Sequence, residues 1–532
     1  MSPAGRPYFE SADVHRSAFH HLDRLADRPF LLFACFVAFV LSITIIQHPP
    51  WQGIDTRFTF GMGIAWAVFA LLAGALSKRP SLFVPCFLAA CTGPHHRVAV
   101  LCAFACGLAM LGRVLWSNRK AYRPFFREAF RSRGFGLVLA IAVYGVAVWL
   151  ARLGDSTDGW SFLALAASMF TIPLAVYSFE WLRWTDDERK KAARNTFLYL
   201  SAVALTVLLV PLLSGRVEQY TVPAYVLYKA ASAVRALPFH MQWVDPDANS
   251  ACFRSAHYAA VALFMLTAFA VAYGRYSGEK RTVLIAAGAL FAALMGENAH
   301  ALPAMAASAL ALFILARPSC QRRPVRCAAA ITVGSVAVAV CVVAAFYSMN
   351  DYLSNLPKAR LYRASFAYAS GKPFRFIVGE GPASFGSHAA RKRLPPGLSD
   401  ERVYPFLPRT VSPAYRTVLE EVDARGATTT VHRPISGLVP FFLEWGLIGS
   451  ILLLYTVFRM LHAMMPAVIG VTSPWTAAAA ATAIASFPLL FVLLGFRPYL
   501  EYPDVMAVAS VLFLVGLQDR KEQKYGEKTL FP

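Results

Sequence analysis

The stretch SGLVPFFLEWGLIGSILLLYTVFR, residues 436–459, decides the fold class because it is apolar over the length of a membrane crossing. A helix of about 20 mainly apolar residues covers the roughly 30 Å of hydrocarbon in a bilayer. Similar stretches recur from Pro29 to the C-terminus, and fourteen can be distinguished. They cover approximately residues 30–47, 59–77, 80–93, 98–116, 135–152, 160–182, 196–213, 256–274, 282–297, 301–316, 328–347, 436–459, 475–496 and 502–518.

The composition of the whole chain also indicates a membrane protein. Of its 532 residues, 57% are hydrophobic and 15% are charged, whereas soluble globular proteins have about 45–50% apolar and about 25% charged residues. With a mean hydropathy of +0.49, the chain has too few polar residues to cover the surfaces of soluble domains. A disordered or fibrous chain is excluded. A largely polar segment precedes the first span and no small-residue cleavage site follows it, so we expect no cleavable signal peptide.

The basic residues predict the orientation of the spans. The formal net charge is +21, but these residues occur in short clusters between apolar stretches, so we expect no nucleic-acid partner. Basic clusters in short connectors face the cytoplasm. The clusters are Arg119–Arg133, Arg189–Arg194, Arg317–Arg326 and the tail from Arg520. Both termini are therefore predicted to be cytoplasmic.

The predicted fold is an all-α polytopic membrane helix bundle of about 12–14 spans. A large extracytoplasmic loop is expected between the span that ends near residue 347 and the span that starts near residue 436. The predicted segments are a cytoplasmic N-terminal segment (1–29), an N-terminal transmembrane bundle (30–213), an extracytoplasmic loop (214–255), core transmembrane helices (256–347), the large outward loop (348–434), C-terminal transmembrane helices (435–518) and a cytoplasmic tail (519–532).

The large loop is rich in basic residues. It contains thirteen Lys or Arg against seven Asp or Glu, a surplus of six. The positive-inside bias does not govern long translocated loops, so this surplus can have another role. A basic surface at the level of the lipid headgroups suits a phosphate-bearing ligand. The alternative is a solvated loop that only touches anionic lipid.

No metal or cofactor is expected. The chain has no GxxxxGK[ST] loop, no HExxH helix and no paired CxxC. Eight of the nine cysteines lie in or beside apolar stretches and only Cys252 lies in a polar loop, so no disulfide framework is predicted. Asp245 and Asp247 form an acidic pair that could hold a divalent cation or could belong to a polar turn.

Four sequence features follow one another in the last half of the chain. They are Arg360-Leu-Tyr-Arg363-Ala-Ser-Phe, Gly379-Glu-Gly381-Pro382-Ala-Ser-Phe, then His432, and a span that contains Glu444-Trp-Gly-Leu-Ile-Gly. In this order they resemble the O-antigen ligase and polymerase superfamily of bacterial envelope glycosyltransferases. Phe253-Arg254-Ser255-Ala-His257 is similar to the family's entry into an earlier core helix. The resemblance covers roughly residues 250–518.

The resemblance implies an activity and its partners. The donor would be a glycan on undecaprenyl diphosphate, and the acceptor would be a hydroxyl of another glycan, of the lipid-A core or of another molecule. The enzyme would lie in the bacterial inner (cytoplasmic) membrane among membrane lipids and would act at the periplasmic face without a cofactor or metal. Ligase and polymerase use the same donor, so both alternatives stay open.

The resemblance also implies roles for single residues. Arginine holds phosphate oxygens through charge-assisted hydrogen bonds, and histidine is a natural general base near neutral pH. The diphosphate is assigned to Arg254, Arg360 and Arg363, and the catalytic base to His432, with His388 as a rival. The supporting residues are Gly379, Gly381 and Pro382, which would shape a turn, and Glu444, which would orient its helix.

The chain departs from the family pattern next to the histidine. His432 is followed by Arg433 rather than by the family's usual asparagine, and it precedes Glu444 by twelve residues, which is farther than in the family. A flippase or secondary transporter of lipid-linked saccharide is the alternative function. A transporter would place ionisable residues near the middle of broken spans, whereas the spans here are nearly free of charge.

Overall fold

The computed structural model of the chain is all-helical wherever it is described. The described residues are 24–25, 27–47, 56–76, 79–92, 96–117, 134–152, 159–181, 184–214, 229, 252–253, 256–296, 301–348, 357–385, 417, 437–471, 473–495 and 499–517. About 90% of the structure is helix, and no strand occurs in these ranges. The all-α part of the prediction is therefore confirmed.

The described α-helices are numbered here in chain order. They are α1 (Pro29–Gln47), α2 (Thr56–Leu76), α3 (Pro80–Thr92), α4 (His96–Ser117), α5 (Phe135–Ala151), α6 (Gly159–Ser178), α7 (Asp186–Ser214), α8 (Ala256–Ser277), α9 (Thr282–Gly296), α10 (Ala301–Leu315), α11 (Pro318–Arg322), α12 (Pro324–Ser348), α13 (Pro357–Ser370), α14 (Pro373–Val378), α15 (Leu438–Ile469), α16 (Pro474–Leu494) and α17 (Pro503–Gly516). Short 3-10 helices follow α6 (Phe179–Trp181) and precede α17 (Tyr499–Glu501).

Proline marks the start of many of these helices. Eight of the seventeen described α-helices have proline as their first residue. Proline suits this position because its fixed φ is helical and its missing N–H would have no partner in the first turn. The N-terminal boundaries of these helices therefore follow from local sequence.

Five of the helical segments are long and apolar enough to cross a membrane. They are Asp186–Val210, His257–Ser277, Pro324–Val342, Leu438–Ile469 and Pro474–Leu494. Shorter apolar helices account for the other predicted spans within the described ranges. The structure thus supports a membrane protein, while the count of 12–14 spans and the inner membrane stay predictions.

Helix α16 forms the centre of the packing. The most apolar 18 residues of α16 are all buried, whereas only 33% of the corresponding residues of α12 and 39% of those of α15 are buried. Neighbours α8, α10, α12, α15 and α17 surround α16. The outward apolar faces of α12 and α15 are suited to contact with lipid, which is as apolar as the side chains themselves.

Helix α3 is a buried helix rather than a long span. All thirteen of its residues are buried, and at 1.5 Å per residue it is about 20 Å long, shorter than the roughly 30 Å of hydrocarbon. The predicted span at residues 80–93 is therefore helical, but it is too short to cross a bilayer by itself.

The first and last described segments of the chain meet at one end of the packed helices. We call this end, which contains Asp27, Arg79, Arg189, Lys191 and Leu517, the basic end. The Asp27 carboxylate pairs with Arg79 and with Lys191, each at 2.7 Å, and the Arg189 guanidinium donates to the Leu517 carbonyl. Hydrogen bonds from Lys191 and Arg79 lower the pKa of Asp27, so this exposed pairing is lost only in acid, as the pH falls through that lowered pKa.

The connector after α10 lies at the basic end too. Arg275, in the last turn of α8, donates to the Ala316 carbonyl at 3.2 Å. Tyr273 of the same helix stacks on Trp475 with 3.9 Å between ring centroids, and Trp475 packs edge-on against Phe197 of α7. These contacts link the ends of α8 and α10 to one another. The tail from Arg520 lies outside the described residues, and which side of the membrane the basic end faces stays a prediction.

Two findings on the cysteines differ from the expectations. Cys320 and Cys327 form a disulfide in the connector predicted to be cytoplasmic, because short helix α11 turns the chain back and brings their Cα atoms to 5.3 Å. Disulfides persist in oxidising compartments, so the redox state of this pair reports which side the basic end faces. Cys252, predicted in a polar loop, is fully buried beside the Tyr199 hydroxyl at 3.5 Å, and burial raises the pKa of its thiol to about 12.

Candidate functional site

Helix α15 breaks at Gly446. This residue has φ 65° and ψ −173°, so the helix changes direction between Leu438–Trp445 and the longer part that follows. A break removes the N–H groups that would normally reach the carbonyls one turn earlier. Three consecutive carbonyls, those of Leu443, Glu444 and Trp445, accept hydrogen bonds from other parts of the chain.

Two of these carbonyls bind a turn of the large loop that runs from Gly379 to Phe385, hereafter the loop turn. The Glu380 N–H donates to the Leu443 carbonyl at 2.8 Å, and the Gly381 N–H donates to the Glu444 carbonyl at 3.1 Å. The broken helix therefore docks the loop turn through its backbone. The two sequence motifs around Gly379 and Glu444 form one local structure.

The Glu444 side chain binds the same loop turn. Its carboxylate accepts the Ala383 N–H and the Phe385 N–H, each at 2.8 Å, and the side chain is almost fully buried. Hydrogen bonds to a charged acceptor are stronger than neutral ones, and they compensate for removing the carboxylate from water. Glu444 is therefore the main polar anchor of the loop turn.

The contact needs glycine on both sides. Gly379 has φ 102° and Gly446 has φ 65°, values that side-chain-bearing residues rarely adopt. A Cβ atom on Gly446 would lie 2.5 Å from the Ile377 carbonyl oxygen, and one on Gly379 would overlap the Glu444 carbonyl. Gly381 also has φ 102°, and Ala383 has φ 62°. This unusual backbone is concentrated in the loop turn and its helical partner.

Two arginines converge on Glu380. The Arg152 guanidinium, just after α5, lies 3.3 Å from the Glu380 carboxylate, and the Arg375 guanidinium of α14 lies 3.1 Å from it. Glu380 is buried and Arg152 is nearly so. Partial burial alone would lower the pKa of Arg375, but the charge of Glu380 and the Tyr368 hydroxyl raise that pKa above its ordinary value. The triad keeps a net positive charge.

The Arg152–Glu380 pair gives a stability prediction. We expect Arg152→Gln to lower the free energy of unfolding by about 1–3 kcal/mol, because a buried carboxylate loses one of its two cationic partners. The matched control is Asp27→Asn, which breaks an exposed pairing and should cost less than about 1 kcal/mol. Thermal unfolding of both variants in one detergent compares them. Equal stability losses would contradict the buried role of Arg152.

Helix α5 supports the site with aromatic and small residues as well. The Tyr144 hydroxyl lies 3.0 Å from the Val378 carbonyl oxygen and 3.2 Å from that of Trp445. Trp445 is fully buried, stacks on Phe441 and packs so closely on Gly145 that any side chain there would overlap the indole. Helix α5 thus contacts both the segment that leads into the loop turn, at Val378, and the broken part of α15, at Trp445.

An apolar cavity of about 140 Å³ lies among α5, α6, α15, α16 and α17. Its wall includes Met169, Phe441 and Leu500, which also line a small cleft beside Glu444 and Glu501. The cavity therefore adjoins the cleft beside Glu444, the residue that binds the loop turn. Its lining is suited to hydrocarbon rather than to a polar ligand.

The structure brings some of the sequence-predicted residues together. Gly379, Gly381 and Pro382 lie in the buried loop turn, and Glu444 binds it. Arg363 is exposed on α13. Arg360 belongs to the same helix, but its side chain lies outside the described parts of the structure, as do His432 and Arg254. The alternatives Asp245, Asp247 and His388 also lie outside the described residues.

Four residues of this site were not predicted from the sequence: Tyr144, Arg152, Arg375 and Gly446. Gly446 stands two residues after Glu444 in the quoted motif, which was the available signal for a break in the span. Arg375 was counted only among the loop cations. Tyr144 and Arg152 lie in the region that the resemblance does not cover, so no motif pointed to them.

Within the described residues, no group of three or more His, Cys, Asp or Glu side chains could hold a metal ion. A comparison with protein-family models finds no match for this chain. A comparison with curated proteins finds no match either. The resemblance to the O-antigen ligase and polymerase superfamily therefore rests on the motifs quoted above.

Proposed function

We propose that the chain is an integral-membrane glycosyltransferase that transfers a glycan from undecaprenyl diphosphate to an acceptor hydroxyl at the periplasmic face. The reaction is of the O-antigen ligase or polysaccharide polymerase type. A bond forms between the acceptor oxygen and the anomeric carbon. The bond from that carbon to the diphosphate breaks, and undecaprenyl diphosphate leaves with the electron pair.

One observation carries this proposal. The loop turn with its Gly-x-Gly-Pro motif and the span with its Glu-x-Gly motif are joined by four hydrogen bonds, two to helix carbonyls and two to the Glu444 carboxylate. In the sequence these motifs are more than fifty residues apart. Two motifs that carry the family resemblance thus belong to one buried unit, as a shared site requires.

The proposed chemistry needs cations for the leaving group and a base for the acceptor. Arg254, Arg360 and Arg363 are proposed to hold the diphosphate, because guanidinium groups stabilise the charge that develops on phosphate oxygens. His432 is proposed to take the proton of the acceptor hydroxyl. The loop turn and Glu444 would position the large loop, which carries Arg360, Arg363 and His432.

The apolar cavity next to the Glu444 cleft has room for only a short part of a lipid-linked donor. Its 140 Å³ are lined mainly by aliphatic and aromatic side chains of five helices. A polyprenyl donor must keep its hydrocarbon chain out of water while its diphosphate faces cations. A volume of about 140 Å³ is close to that which holds one benzene molecule, so the cavity would take about one isoprene unit and the rest of the chain would stay in the lipid.

The buried acids bear on the choice between an enzyme and a transporter. In the described ranges the buried acidic residues are Glu380, Glu444, Glu501 and Asp504. Glu380 and Glu444 belong to the loop-turn unit, Glu501 lines the cleft beside Glu444, and Asp504 opens α17. A secondary transporter would place ionisable groups on broken helices near the middle of the membrane, so the break of α15 beside the buried Glu444 supports the transporter alternative as well.

The function is tested in a deletion strain that is complemented with wild type, His432→Ala or Arg360→Ala. We expect His432→Ala to reduce glycan transfer by about 100-fold or more, because general-base catalysis contributes about 10²–10⁴ in rate. Surface glycans are separated on gels. Short unattached glycan would indicate a ligase, and single-repeat glycan would indicate a polymerase.

Two controls make this test specific. Arg323→Ala removes an exposed arginine near the basic end and should leave the glycan profile unchanged. Treatment of purified protein with a chelator should not reduce transfer; a loss of activity would favour a metal-dependent glycosyltransferase built on Asp245 and Asp247. A wild-type profile with both His432→Ala and Arg360→Ala would overturn the site assignment.

A further inference from the structure

We propose that the segment of α13 and α14, residues 357–378, is an interfacial element that docks on an anionic phospholipid surface. Three large apolar side chains of this segment face outward: Phe366 is 51% exposed, Phe374 is 70% exposed and Ile377 is 44% exposed. Phe374 and Ile377 are three residues apart in α14, so they project from one face.

The opposite face of α14 is already covered by protein. Phe376 packs edge-on against Phe442 of α15 with 4.9 Å between ring centroids, and the Val378 carbonyl is bound by Tyr144 at 3.0 Å. Helix α14 is therefore held in place through one side. The side with Phe374 and Ile377 is the one left for an external contact.

The exposed side continues into a lipid-facing stripe of α15. Beyond Gly446 this helix exposes Leu447, Ile448, Ile451 and Tyr455, a spacing that places them on one face. The Ile377 carbonyl lies directly against Gly446, at the position where any Cβ atom would meet it. The apolar surface of α14 thus begins where the stripe of α15 ends.

Charge selects the kind of lipid. Residues 357–385 contain five cations and one acid, Glu380, which pairs with Arg152 and Arg375. The five cations are Lys358, Arg360, Arg363, Lys372 and Arg375. Basic residues beside exposed aromatic and aliphatic side chains bind anionic headgroups while the apolar groups enter the acyl boundary. The partner that fits is an anionic phospholipid leaflet.

The test places an environment-sensitive fluorophore on the full chain in vesicles of phosphatidylcholine with or without phosphatidylglycerol. Phe374→Cys is labelled in a background with Cys35→Ser and Cys341→Ser, because these are the exposed free cysteines. The matched control is Lys280→Cys, an exposed position in the connector between α8 and α9. Ile377→Cys is a second probe position if Phe374→Cys does not fold.

With phosphatidylglycerol present, we expect the probe at position 374 to emit at shorter wavelength, to be quenched by nitroxide-labelled lipid and to resist aqueous iodide. The probe at position 280 should be quenched by iodide. Omitting phosphatidylglycerol, or adding Lys372→Gln, should increase iodide quenching at position 374. Iodide quenching at 374 equal to that at 280, as expected for a surface reserved for a protein partner, would overturn the proposal. Equal protection in phosphatidylcholine alone would overturn it as well.

Discussion

Glu444→Ala should lower the free energy of unfolding by about 2–6 kcal/mol and should release the loop turn from α15. The substitution removes the acceptor of the Ala383 and Phe385 N–H groups. Each buried N–H that is left without a partner costs about 1–3 kcal/mol. Loss of the packed side chain adds to this cost, because Glu444 is almost fully buried.

The effect can be separated from a general loss of charge. Glu444→Gln keeps one carbonyl oxygen as acceptor but presents an amide NH₂ to the other N–H, so its destabilisation should be intermediate. Glu279→Ala removes an exposed acid in the connector between α8 and α9 and should change stability by less than about 0.5 kcal/mol.

Stability is measured by thermal unfolding in detergent, and the amides of Ala383 and Phe385 are followed by hydrogen exchange. In wild type these amides should be protected, and in Glu444→Ala they should exchange rapidly. Unchanged protection of both amides in Glu444→Ala would show that the carboxylate does not anchor the loop turn.

Gly446→Ala should be almost as disruptive, although it adds a single methyl group. The combination of φ 65° and ψ −173° belongs to a region used essentially by glycine alone, and occupying it costs about 1–3 kcal/mol for another residue. The new Cβ atom would also meet the Ile377 carbonyl and the Gly379 N–H at 2.5 Å. We expect a loss of about 3 kcal/mol or more.

Gly446→Ala should also straighten α15 and so change more than the local contact at the new methyl group. Alanine favours a continuous helix, so Leu443 and Glu444 should regain helical N–H partners and release the loop turn. Hydrogen exchange at Glu380 and Gly381 should therefore increase, because their acceptors are these two carbonyls. Proteolysis within residues 357–385 should also become faster.

A second glycine provides the matched control. Gly288 lies inside helix α9, and a Cβ atom there would meet nothing within 4 Å. Gly288→Ala should leave stability unchanged or increase it by up to about 1 kcal/mol, because alanine is the better helix former. If Gly446→Ala behaved like Gly288→Ala, the break in α15 would not be needed for the contact with the loop turn.

The candidate site was only partly predictable from the sequence. Gly379, Gly381, Pro382 and Glu444 were selected as supporting residues from their motifs, and they lie in one unit of the structure. The motifs did not predict how these residues contact one another. The backbone of a broken helix binds the loop turn, and a break cannot be distinguished from a straight helix in a stretch that is apolar on both sides of Gly446.

The contribution of α5 was not predictable from the sequence. Arg152 and Glu380 are 228 residues apart, and Tyr144 and Trp445 are 301 residues apart. In sequence, α5 is an ordinary apolar helix whose pattern shows no preferred partner. Only its packing against α15 shows that Tyr144 and Arg152 stabilise the loop turn.

The sequence by itself determined that the protein is helical and apolar, because helix formation and hydrocarbon-length runs depend on neighbouring residues. It also determined several helix starts, since proline at the first position acts locally. The tertiary structure alone decided that α16 is the buried centre, that α15 is broken and that Glu444 binds the loop turn. These features depend on which distant groups supply the missing hydrogen-bond partners, and burial makes such partners obligatory.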